Sequence, residues 1–179
     1  MKLSILLIFL FSITACGGSG GTTGTTGTGG SSSGNTIGTI TLSGVDTATT
    51  GAQLNTGFIG SSLAAGLQPD YIIIVDSAST VTFTPPNVLT PNIADANNAF
   101  VLVVTDDSSV SGSTAISMSI VVNGTRFDYA CSNPVSVFTD CGAGAITLDI
   151  ANKTVVLNNV KTINVDTAAV FTLDGTLTW

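Results

Sequence analysis

Residues 115–131, AISMSIVVNGTRFDYAC, decide the fold. Ile116, Met118, Ile120 and Val122 recur at every second position, with Ser117 and Ser119 between them. A period of two places alternate side chains on opposite faces of a strand, so one face is apolar and the other wet. Asn123-Gly124 then interrupts the run. Both residues tolerate the positive φ angles of a type I′ turn, whose twist matches that of the strands it joins. A hairpin is therefore predicted, with Thr125–Cys131 as the return strand.

The same pattern extends toward the C-terminus. Ile146, Leu148 and Ile150 share one face of a strand over Ala145–Ile150, and a long strand follows over Thr154–Val165. In Ala169–Trp179, Phe171, Leu173, Leu177 and Trp179 oppose Thr172, Asp174, Thr176 and Thr178. Ala151-Asn152-Lys153 and Asp166-Thr167-Ala168 supply tight turns. Residues 115–179 thus read as a consecutive antiparallel meander. Further strands are predicted at Ile37–Leu42, Tyr71–Val75, Thr80–Thr84 and Phe100–Thr105.

Two stretches, 44–70 and 85–99, read as long connections. The first holds Gly51, Gly57, Gly60 and Gly66, with one helical turn near 61–65; the second opens with Pro85-Pro86 and places Asn92 as the cap of a turn over 93–96. Connections of this length often carry function, so both are candidate contact surfaces. The fold class predicted is all-β, a single antiparallel β-sandwich or partly closed β-barrel with a C-terminal meander.

Composition agrees with that class. Only 8% of the 179 residues are charged, against 44% hydrophobic, whereas a typical soluble domain has about 25% charged residues. Thr, Ser, Asn and Gly must supply most of the polar surface, and the helix formers Glu, Lys and Arg are scarce or absent. Four cations against eleven acids give a net charge of −7. So few cations cannot neutralise a phosphate backbone, which argues against nucleic acid as a partner.

The N-terminus carries an address. Met1-Lys2 precedes an apolar run from Leu3 to Ile13, then Thr14-Ala15-Cys16. One basic residue, a short apolar segment and small residues at a cut site are the parts of a secretory signal peptide, and the run is shorter than the ~20 residues of a membrane span. Ile13-Thr14-Ala15-Cys16 resembles the bacterial lipobox. That resemblance implies cleavage after residue 15, acylation of Cys16, and attachment to the membrane through its acyl chains. Gly17 stands where the resemblance would put Asp for inner-membrane retention, which implies the outer membrane of a Gram-negative cell, facing the periplasm or the outside. Residues 17–36, GGSGGTTGTTGTGGSSSGNT, have no apolar side chain. They lack a GxGxxG or GK[ST] pattern for phosphate and are expected to form a disordered tether with a span on the order of 25 Å. The expected organisation is signal peptide 1–15, acylated Cys and tether 16–35, and β domain 36–179.

Chemistry is constrained by what is missing. The chain has no His, which excludes Ser-His-Asp and Cys-His catalysis, HExxH zinc sites and an imidazole proton shuttle. All eleven acids are Asp, so glycosidase-type catalysis would have to rest on Asp pairs, and a Ser-Lys mechanism on Lys153 or Lys161. No enzyme activity and no cofactor are expected. Cys131 and Cys141 bracket nine residues in a chain expected to reach an oxidising compartment, so a structural disulfide is expected rather than a redox pair of the CxxC kind. Asp95, Asp106 and Asp107 are weak Ca²⁺ candidates, with turn chemistry as the plainer reading.

Trp179 ends an alternating segment, which resembles the C-terminal signature of outer-membrane β-barrels. Aromatics at 6% are too few for two girdles, so the plainer reading is a closing strand whose Trp plugs one end of the core. The function expected is a membrane-anchored structural or adhesion-like interaction module contacting protein or glycan through 44–70 and 85–99. The alternative is a carrier of a small apolar ligand in a barrel cavity lined by residues such as Ile120, Phe171 and Leu173.

Overall fold

The structure, a computed structural model, describes residues 37–62, 70–84, 88–107, 113–135 and 137–179. The lipobox, Cys16 and the Gly/Ser/Thr tether lie outside the described residues. The strands are β1 (Gly38–Gly44), β2 (Gln53–Ser61), β3 (Asp70–Asp76), β4 (Thr80–Thr84), β5 (Val88–Asn92), β6 (Ala99–Asp107), β7 (Ser113–Val122), β8 (Thr125–Asn133), β9 (Ile146–Asp149), β10 (Thr154–Asn164) and β11 (Val170–Thr178). One helical turn, α1 (Thr47–Thr50), joins β1 to β2.

The main sheet runs β11-β1-β2-β3-β6-β7-β8-β10, all antiparallel, and β10 pairs back onto β11. Hydrogen bonding therefore closes a ring of eight strands, with β9 attached to β10 as an extra strand. Closure removes the free edges that would otherwise recruit other strands. The predicted hairpin at Asn123-Gly124 is present, with φ of 50° and 78° at the two turn residues.

One face of every ring strand points inward. Ile40 and Leu42, Ile72 and Ile74, Phe100 to Val104 by alternation, Ile116, Met118 and Ile120, then Phe171, Leu173 and Leu177 form one contiguous buried cluster. Thr41, Thr176, Thr178 and Asp174 face outward and are exposed. Two bulges keep the phase. One falls between Thr56 and Phe58 in β2, the other between Leu157 and Val160 in β10. Without the second, Val155 and Leu157 would point inward while Val160 and Thr162 pointed to solvent; with it, all four are buried.

The hairpin β4-β5 forms a separate two-stranded sheet. Val81 and Leu89 pack on Ile73 and Val75, which occupy the outer face of β3, in a second small core. Tyr71 reaches into this layer, its hydroxyl accepting from the Leu89 amide at 3.3 Å.

Two predicted connections are thereby corrected. Residues 44–70 contain α1 and β2, and residues 85–99 contain β5. The glycines of β2 concealed it. A Cβ on Gly57 would stand 2.3 Å from Ser77 Cα, and one on Gly60 would stand 2.6 Å from Val81 Cγ1. These glycines mark close approach within a strand, of backbone at Gly57 and of the Val81 side chain at Gly60, not a loop. Strand β5 was obscured by Pro91, which is tolerated because β5 belongs to a two-stranded sheet with an open edge. Asn92 ends β5 instead of capping a turn; Asp95 shapes that turn, accepting from the Asn97 amide at 2.9 Å. Of the helical turn near 61–65, Ser61 closes β2 and 63–65 lie outside the described residues. The C-terminal meander holds except at β9, which pairs with Thr154–Leu157 of β10 and does not lie between β8 and β10.

Gly60→Val should drive its side chain into Val81 and lever the β4-β5 hairpin off the ring. The expected loss is about 1–3 kcal/mol, as for overpacking in a filled core, measured by denaturant unfolding. Gly51→Val serves as the backbone-strain control, because an added Cβ there would meet nothing within 4 Å while φ is 86°.

Candidate functional site

One end of the ring is closed by a polar node. The chain leaves β1 at Gly44 and turns at Asp46 into α1. The Asp46 side chain makes no capping bond to the helix. Its Oδ2 instead accepts from the Tyr129 hydroxyl at 2.9 Å and from Asn164 Nδ2 at 3.0 Å. Asn164 Oδ1 in turn accepts from the amides of Asp166 and Thr167, at 3.0 and 3.1 Å, holding the β10–β11 turn. Tyr129 stacks on Phe171 with ring centroids 4.5 Å apart, a contact worth about 0.5–1.5 kcal/mol beyond area burial. Residues far apart in the chain are thus pinned at one point. Burial, and then the Asp46 carboxylate beside it, push the Tyr129 hydroxyl well above its usual pKa of 10.0.

The wall at β10 has a seam. Strand β10 offers one edge to two partners: Thr154–Leu157 pair with β9, while only Ile163 and Asn164 pair with β8. The intervening gap is filled by the loop after β8. Cys131 and Cys141, ten residues apart, are joined by a disulfide with a Cα–Cα distance of 5.0 Å. Thr139 continues the wall by accepting from the Ser132 amide at 3.0 Å. The Cys141 carbonyl then accepts from the Lys161 amide at 3.2 Å, and that of Ala145 from the Asn158 amide at 2.8 Å. The predicted disulfide is present and its place explains it: it ties β8 to the loop that spans the part of β10 which β8 does not pair with.

Over this seam lies an open groove of about 470 Å³, with Asp140, Gly142, Gly144, Asn158, Asn159 and Lys161 among its lining residues. Asp140 Oδ1 accepts from the Gly142 amide at 2.9 Å. The β10 bulge turns both Asn158 and Asn159 outward, Asn159 at φ 53°, and its amide donates to Asp174 Oδ1 at 2.6 Å. Sequence reasoning runs a straight strand through 154–165 and misses these residues. The available signal is the phase break: apolar positions at Val155 and Leu157 are odd, that at Val160 even.

The carboxylates proposed for Ca²⁺ do not converge. Asp95 precedes β6 and Asp106-Asp107 end it, so about 26 Å of strand, at roughly 3.3 Å per residue, separates them. Asp95 is engaged in its own turn, with Asn98 Nδ2 on its Oδ2 at 3.1 Å. The Asn97 amide, then the Asn98 side chain, hold its carboxyl below the usual range. Among the described residues no three potential metal-ligating side chains come together. Trp179 is partly buried and packs on the core cluster, in line with a plug at the end of the closing strand. Comparison with protein-family models, curated proteins and solved structures finds no match.

Replacing Cys131 and Cys141 together by Ala should cost roughly 2–3 kcal/mol for a loop this short, read as a lower thermal midpoint in the variant than in the oxidised protein. The Tyr129 shift makes stability pH-dependent at the alkaline end. An unfolded tyrosine ionises near pH 10.0 while folded Tyr129 stays neutral, so its contribution is complete below pH 10 and is lost as pH rises through the folded value. Denaturation profiles between about pH 9 and 11 should fall less steeply for Tyr129→Phe than for the parent.

Proposed function

We propose that this chain is an exported lipoprotein, held on the outer membrane through acyl chains on Cys16, whose β domain is a non-catalytic interaction module. The observation that carries this reading is the continuity of the core. Ile120, Phe171 and Leu173, the positions that would line a carrier's cavity, are at most 3% exposed and belong to one contiguous cluster with Tyr129 and Leu102. An interior filled this way directs recognition to the outside of the ring, toward protein or glycan partners.

The face distribution supports an aqueous setting. A spanning barrel turns apolar residues to lipid and polar residues inward, whereas here the inward face is Ile, Leu and Phe, the outward face of β1 and β11 is Thr, Ser and Asp apart from Val170, and the apolar outer face of β3 is covered by the β4-β5 hairpin. Acyl chains, at about 0.8 kcal/mol per buried CH₂, then supply the attachment. Of the stretches expected to meet partners, 85–99 contributes β5, whose Val88 is exposed, as is Phe83 on the paired strand β4 outside that stretch; 63–69 and 85–87 lie outside the described residues.

Two measurements test this. Cys16→Ser should move the protein from the membrane fraction to the soluble fraction, and retention in the membrane would contradict the anchor. Titration with the fluorescent apolar probe N-phenyl-1-naphthylamine should show no saturable site. Stoichiometric uptake that is abolished by Leu173→Trp would instead establish the carrier.

A further inference from the structure

We propose that the groove over the β8–β10 seam binds a neutral saccharide unit. The proposal deepens the interaction-module reading and rests on its premise that partners meet the outside of the ring. A volume of about 470 Å³ falls in the range of small-molecule sites and suits one or two sugar rings. The lining selects against an apolar guest, because Asp140, Asn158, Asn159 and Lys161 face the space and the remaining wall is Thr139 with small Gly and Ala residues.

The hydrogen-bonding capacity of the lining is largely unspent. The side-chain amides of Asn158 and Asn159 and the Lys161 ammonium have no partner among the described residues. Asp140 uses Oδ1 on the Gly142 amide and keeps Oδ2. A carboxylate accepts, an ammonium donates, and an amide does both. The complement to such a set is a ligand whose neighbouring groups each donate and accept, which is the property of vicinal hydroxyls. An anionic ligand would meet Lys161 favourably but also Asp140, the adjacent Asp174 and a chain of net charge −7. A cationic ligand would be drawn to Asp140 and Asp174 but repelled by Lys161, whose ammonium it would leave without an acceptor. Neutral hydroxyls satisfy all four groups.

The site is also held in place before any ligand arrives. The disulfide fixes one end of the loop, the Ala145 amide donates back to Gly142 at 3.1 Å, and the loop is bonded to β10 at Asn158 and Lys161. Gly142 and Gly144 adopt φ of 100° and 70°, a region that glycine enters without the steric cost a Cβ brings. Rigid backbone around exposed polar side chains lowers the ordering cost of binding. The bulge does the aiming, since a regular strand would have turned only one of Asn158 and Asn159 outward.

The test is a two-dimensional NMR titration of the folded chain with D-glucose, D-galactose, D-mannose, N-acetylglucosamine and their disaccharides. Saturable shifts should appear for at least one sugar, confined to residues 139–145 and 158–161. Asn158→Ala, at an exposed bulge position whose φ is not positive, should weaken that binding about tenfold while leaving the rest of the spectrum and the thermal midpoint unchanged. Absence of saturable shifts with every sugar, shifts mapping elsewhere, or indifference to Asn158→Ala overturns the groove assignment. The apolar probe separates this from the broader reading: a groove that fails while the interior still excludes the probe leaves the interaction module standing, whereas probe uptake removes the module itself.

Discussion

Ring closure by β11 is the constraint on which the rest depends. The C-terminal strand pairs with β10 along almost its whole length and with β1 on its other edge, where Leu42 faces Leu173 and Gly44 faces Phe171. Without that second pairing the sheet would have two open edges and an apolar face exposed along β1. With it, alternation alone is enough to separate solvent from core. The close approach is visible at Gly44, where a Cβ would stand 2.5 Å from the Val170 carbonyl oxygen. The Asp46 node then locks the closed state from the end. It joins the segment after β1 to β8 and β10, so that two bonds connect residues 83 and 118 positions apart.

Closure has a weak point, and the disulfide and a cluster of polar side chains gather there. Strand β10 cannot pair fully with both β8 and β9, so the bulge at Asn158-Asn159, the disulfide and the 139–145 loop together complete the wall. The same irregularities that repair the seam leave unpaired amides and a lysine on its surface. A structural necessity has thus produced a polar concavity on the outside of the ring.

Much of this was legible in the sequence. Period-two alternation located Thr80–Thr84 to the residue and the other eight strands it predicted to within a few positions, and Asn123-Gly124 fixed a register. The disulfide followed from spacing and the expected compartment. Strands β2 and β5 were hidden for a shared reason: each carries a residue that ordinarily breaks strands, tolerated because of a neighbour remote in sequence. Gly60 makes room for Val81, and Pro91 faces an open edge. The groove was invisible for a related cause. It depends on which edge of β10 is left over, and no local pattern states that. The Asp46 node was equally silent, since a lone Asp before a Thr-rich turn reads as a helix cap until its distant partners are seen.

Hydrogen exchange monitored by NMR tests the closed ring most directly. Amides that face across the β1–β11 ladder, those of Thr41 and Ser43 and of Thr172 and Asp174 opposite them, should be protected as strongly as those of Leu102–Thr105 in the middle of the sheet, and should exchange with the same free energy of opening. Exchange at β1 and β11 faster by orders of magnitude, with the sheet centre still protected, would mean an open sheet and contradict closure.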